Sequence, residues 1–170
     1  MPLSIYQASV PVLVRALNNL AAIVDKAAAH AEARKIDPAV FINARLAPDM
    51  FPLARQIQSA SDSAKGCAAR LAGIAVPSYA DTEASFPELQ ARIAKTIAFL
   101  QSVGEAQIEG SETRTVTMRM RGGEVNFTGQ SYLLGFVLPN FFFHVTTAYA
   151  ILRHNGVEIG KGDFLGPIKD

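Results

Sequence analysis

Four stretches of this chain repeat apolar residues at helical spacing, and no other feature of the sequence limits the fold as much. In the first, running from Tyr6, the residues Val10, Leu13, Leu17, Leu20, Val24, Ala27 and Ala31 are separated by alternating steps of three and four. They share one face of a helix about seven turns long. Pro11 lies near its start, where it either sits in the first turn or produces a kink. Asp37-Pro38 ends the pattern, and the connecting stretch DPAVFINARLAPDMFP carries three prolines and has room for a short helix. A second face runs through Leu53, Ile57, Ala60, Ala64, Cys67 and Leu71 and stops at Gly73, which suits a helix C-terminus. Its small residues allow a neighbouring helix to approach closely.

Ser85-Phe86-Pro87-Glu88 has the spacing of a capping box, with the Ser85 hydroxyl taking the Glu88 N–H and the Glu88 carboxylate returning to the Ser85 N–H. A third helix follows, with Leu89, Ile93, Ile97 and Leu100 inward. After Gly104 the period falls to two. Val116, Met118 and Met120 alternate with polar residues, Gly122-Gly123 supplies a turn, and Val125 and Phe127 resume the alternation, which predicts a β-hairpin. The last stretch sets Leu133, Val137, Asn140, His144, Ala148 and Ile151 on one stripe, crossed by Pro139 and closed by Asn155-Gly156. The glycine-rich tail from Gly156 to Asp170 predicts irregular structure.

Four amphipathic helices with a hairpin between the third and fourth predict a mainly all-α four-helix bundle with one shared core. The hairpin is too small to fold alone and is expected over a bundle end or edge. A length of 170 residues suits a single domain spanning 1–170, and an apolar fraction of 49% supplies a core. Sixteen basic residues balance fifteen acidic ones, so no broad field draws the chain to nucleic acid or to acidic lipid. Cys67 is the single cysteine, which excludes an internal disulfide framework and fits a reducing compartment. Arg15 interrupts the first apolar run, and no segment reaches the roughly 18 unbroken apolar residues of a membrane span. A cytoplasmic location is expected, with neither a nucleic acid nor a membrane as partner.

The informative polar residues are Asn140 and His144. A spacing of four puts both on one helix face, in an otherwise apolar stripe where polar groups require partners. They either hydrogen-bond each other, a backbone carbonyl freed by Pro139 or a facing side chain, or they line a ligand pocket in which His144 acts as general acid or base. Gln56, one turn from both Leu53 and Ala60, can reach the same interior. Asp49 and Arg45 in the linker, and Asp62 further along the second helix, are candidates to orient an imidazole, with surface exposure as the competing fate. His30 and His154 sit in the last turns of their helices, where an imidazolium favours the helix C-terminus. Tyr6 and Tyr149 read as core or rim, and Cys67 as a core thiol. The run Gly156 to Gly162 has three residues where a phosphate loop needs four, follows a helix, and is rejected as one.

The segments LPNFFFHVTTAYAILRHNG, ARLAPDMFPLARQIQSASDSAKG and VEIGKGDFLG resemble a family of unknown function within the DinB/YfiT-like superfamily. That resemblance implies a four-helix bundle, commonly a homodimer. Better-known members are metalloenzymes binding a divalent metal through three histidines, one early in the second helix and an H-x-x-x-H pair in the fourth. Some of them act on thiol cofactors. Carried over, the pattern puts His144 at the second histidine of the pair, Asn140 at the first, and Arg55 or Gln56 at the second-helix position. One of three ligands survives, and neutral amides are poor donors for zinc or nickel. The expectation is therefore a small-molecule pocket around His144, Asn140, Gln56 and Asp49, holding no metal or at most a weakly bound divalent one. Two rivals stand beside it: a non-catalytic bundle whose Phe141-Phe142-Phe143 run serves a homodimer or partner interface, and a metal-dependent thiol-cofactor transferase.

Overall fold

The computed structural model describes residues 3–167; residues 168–170 of the tail, read above as irregular, lie outside the described residues. The first helix, α1 (Val10–Arg34), holds Pro11 in its first turn, where the missing N–H removes no bond. A short α2 (Pro38–Ile42) is capped by Asp37, whose carboxylate accepts the Ala39 N–H at 2.9 Å. The next long helix, α3 (Leu53–Ala72), ends on Gly73 in the left-handed conformation, φ 70°, which glycine adopts without strain. Then come α4 (Phe86–Ser102), α5 (Glu105–Ile108), a 3-10 turn at Ser111–Thr113, β1 (Thr115–Met120) and β2 (Gly123–Thr128). A single helical turn α6 (Gly129–Ser131), a π-helical segment Tyr132–Val137, α7 (Leu138–His154) and α8 (Lys161–Leu165) complete the order.

The four long helices form a ring, α3 packing on α4 and α7 while α1 packs on the same two. The first apolar face is buried from Val10 to Ala31, and the second from Leu53 to Leu71. The fold is mainly α, with a two-stranded antiparallel hairpin between the third and fourth long helices. Thr115 pairs with Thr128 and Met120 with Gly123, so the turn is Arg121-Gly122, one residue earlier than Gly122-Gly123. Phe127 packs on Tyr132 and Phe136 at centroid distances of 5.9 and 6.0 Å, fastening the hairpin to the start of the last long helix.

Four expectations need correction. Ile97 is half-buried, because Thr96 takes the inward position and its hydroxyl meets that of Ser61 at 2.6 Å. At the start of α4 the Ser85 hydroxyl accepts the Glu88 N–H, but the Glu88 carboxylate takes the Ala84 N–H at 2.8 Å and the Ser85 hydroxyl at 2.9 Å. The tail is not wholly irregular: Asp163 accepts the Gly160 N–H at 2.8 Å and nucleates α8. Lys26 holds Asp163 at 2.6 Å, and Asn19 donates to the Phe164 carbonyl at 3.0 Å, binding this turn to α1.

The fourth correction concerns the π segment. Its wider turns slow the rotation of the helix locally, and the stripe departs from expectation at one position, while His144, Ala148 and Ile151 stay buried. Phe141 is fully buried where the regular stripe puts Asn140, and Val145 shares the core with His144. Asn140 is rotated to a half-buried edge, and Pro139 is absorbed without breaking the helix. The stretch Gly129–His154 is long and apolar enough to cross a membrane by length and composition, with mean hydropathy 1.3. In the bundle, one side of its α7 part packs on α3 and α1.

Candidate functional site

Gln56 and His144 meet across the seam between α3 and α7. Gln56 is 1% exposed and His144 9%. The Gln56 side-chain nitrogen donates to the Phe51 carbonyl at 3.1 Å, which fixes the amide and turns Oε1 toward His144. Nδ1 of His144 lies 2.7 Å from that oxygen. An amide oxygen only accepts, so Nδ1 carries the proton and donates. The neutral ring then keeps a lone pair on Nε2. Burial, followed by the positive charge of Arg55, holds the His144 pKa below its ordinary 6.5 and so favours that neutral form.

His144 borders a cavity of about 270 Å³ that runs along the α3–α7 seam. Asn140 and Phe136 line it from the last long helix, Ser63 and Arg70 from α3, and Met118 from the hairpin. Polar hydrogen-bonding groups thus converge with an apolar wall, the usual make-up of a small-molecule site. The Ser63 hydroxyl is buried without a hydrogen-bond partner among the described residues. Buried hydroxyls are normally paired, so an orphan on a cavity wall marks where a bound group can supply the missing bond.

The positions inferred from sequence fare differently. His144 and Gln56 are brought together, and Asn140 lines the cavity without a hydrogen bond to Gln56 among the described residues. Asp49, expected in the site, is instead exposed in the turn ahead of α3 and does not line the cavity. Arg45 donates to the Met50 carbonyl and stays at the surface. Asp62 lines the cavity, but its carboxylate is engaged by Lys65 and Arg92, each at 2.8 Å. His30 packs edge-on against Phe41 and His154 is exposed. Cys67 is fully buried, and burial pushes its thiol up to about 12, which leaves it unreactive. Sequence reasoning missed Ser63, Arg70, Met118 and Tyr132. The signal for Arg70 was present: Gly66 lies one turn earlier on the same face, a glycine inside a helix that otherwise favours alanine.

The three-histidine metal centre implied by the superfamily does not fit these residues. At the second-helix position, the Gln56 oxygen is committed to His144 Nδ1, and at the first helix-four position stands the neutral amide of Asn140. Among the described residues no three His, Cys, Asp or Glu side chains come together. One imidazole with amide neighbours is not a zinc or nickel donor set.

Comparison with known proteins agrees with this architecture. A crystal structure described as a DinB family member protein from Shewanella denitrificans is 43% identical, with a TM-score of 0.89 over 96% of this chain and 92% of that one. No curated protein matches the chain. The family described as "Domain of unknown function (DUF1993)" matches residues 5–165. With nearly its whole length so matched, this chain belongs to the DUF1993 family and has a DinB-like fold.

Proposed function

We propose that the α3–α7 cavity binds a small molecule and that His144, through Nε2, accepts or returns a proton from it. The observation that carries this reading is the fixed orientation of Gln56. Its amide is tied at one end to the Phe51 carbonyl and at the other to Nδ1, so the basic nitrogen is the one left for a ligand. A general base needs a proton-free nitrogen within reach of the reacting group, and burial keeps this one neutral. Replacing His144 by Ala is expected to abolish the thermal shift produced by any compound that a metabolite screen finds to stabilise the wild-type protein. Stabilisation that survives the substitution would defeat the assignment.

A second reading, interaction between copies of the chain, has its own support. Of the three consecutive phenylalanines Phe141 is fully buried, Phe142 half-buried and Phe143 54% exposed. A homodimer that covers Phe143 would leave the cavity reading intact. The third reading, transfer to a thiol cofactor by a bound metal, calls for donors that the site lacks. One equivalent of divalent metal in protein purified without an affinity tag would restore it.

A further inference from the structure

Arg70 stands apart from the other cations lining or flanking the cavity. Arg92 pairs with Asp62, Asp81 and Glu83, Lys65 with Asp62, and Arg55 with Asp81. No carboxylate pairs with Arg70 among the described residues. Its guanidinium donates to the Tyr132 hydroxyl at 3.0 Å and lies 5.8 Å from the centre of that ring. The half-buried guanidinium is held low against α3, because Gly66 leaves room for it: a Cβ at position 66 would stand 2.4 Å from Arg70 Nη1. A helix interior gives up roughly 1 kcal/mol for that glycine relative to alanine. The space it opens is filled by a cation turned into the cavity with its charge unmatched.

The cavity is also long. His144, Asn140, Phe136 and Tyr132 follow one another at steps of four along the last long helix, and all four line the cavity. Met118, Phe136 and the Tyr132 ring give its Arg70 end an apolar wall, and His144, whose Nε2 has no protein partner among the described residues, lines the other end.

We infer that the cavity recognises an extended small carboxylate, its anionic end paired with Arg70, its body against Met118 and Phe136, and a hydroxyl or amine donating to His144 Nε2. This rests on the His144 pocket proposed above and adds the chemical class of its ligand. A singly charged carboxylate matches one guanidinium, whose fork receives two oxygens side by side. A phosphate monoester carries more charge than one cation balances.

The test uses ω-hydroxy carboxylates of six to ten carbons, their methyl esters, and the phosphate monoesters of the same chains, titrated calorimetrically into the full chain. At least one acid is expected to bind about tenfold or more tightly than its ester, and Arg70→Gln to remove that preference. Arg70→Lys, which keeps the charge, retains part of it. Gly66→Ala is expected to remove the preference as well, by displacing the guanidinium, while the thermal midpoint holds or rises. Equal binding of acid and ester, tighter binding of the phosphates, no binding by any acid, or indifference to Arg70→Gln overturns the carboxylate assignment. If His144→Gln weakens acid and ester alike in those cases, the pocket itself still stands. Acid binding that ignores His144→Gln removes the pocket and, with it, recognition at two ends.

Discussion

At the scale of single residues, what His144 can do is decided at one remove, by the carbonyl oxygen of Phe51. That oxygen orients the Gln56 amide, the amide orients the imidazole, and the imidazole presents Nε2. The same burial has a measurable thermodynamic consequence. In the folded chain the His144 pKa lies below 6.5, and in the unfolded chain it returns to that value. Between the two the unfolded chain binds more protons, so stability rises with pH across that window. The contribution is complete above about pH 6.5 and is lost as the pH falls below it toward the folded pKa. Urea unfolding of wild type and His144→Gln should show a stability difference that grows from acid to neutral pH. A difference independent of pH would mean that the ring titrates freely. Neither the tautomer nor the shift was legible in the sequence, which shows Asn140 and His144 four apart but not the carbonyl that settles Gln56.

At the scale of elements, the long connection between α3 and α4 illustrates how an irregular segment is held. Residues 74–84 form no helix or strand. Arg92, its side chain 1% exposed, donates to the Ala80 carbonyl at 3.0 Å and pairs with Asp81 and Glu83 at 3.0 and 3.1 Å. Gln58 adds a bond to Glu83 at 2.9 Å from α3. Removing the guanidinium takes the shared, buried cation from three carboxylates that keep only Lys65, Arg55 and Gln58 as partners, and Arg92→Met is expected to cost up to about 3 kcal/mol. That is the low end for breaking a buried pair, because Asp62 and Asp81 stay partly in water. Urea denaturation measures the loss, and a cost below about 0.5 kcal/mol would class the network with ordinary surface pairs. Nothing in the sequence hints at this pin, since Arg92 falls beside a conventional apolar face and its partners lie nine to thirty residues away. The π segment escaped for a different reason. It alters the helical period by only one residue, and the apolar stripe on either side of it looks unbroken.

At the scale of the whole molecule, the ring of four helices was readable because spacing marks most of the buried face of each long helix, with Ile97 and Asn140 as the exceptions. Val10 through Ala31 and Leu53 through Leu71 are buried as their spacing requires. The cavity was only half readable, because its α3 wall is made of small and polar residues whose roles depend on what they face. How copies of the chain associate is a property of this scale. If Phe143 is covered by a second copy, sedimentation equilibrium will give twice the chain mass, and Phe143→Asp will halve it. A wild-type monomer at micromolar concentration would dismiss that interface.

The clamp between α1 and the tail has a kinetic meaning. Lys26 and Asp163 are 137 positions apart, and Asn19 and Phe164 are 145. Contacts so distant along the chain carry the largest loop-closure penalty, and they slow folding by raising the contact order. The outer flank of α1, although α1 is the first long helix in the chain, is therefore among the last surfaces to be covered.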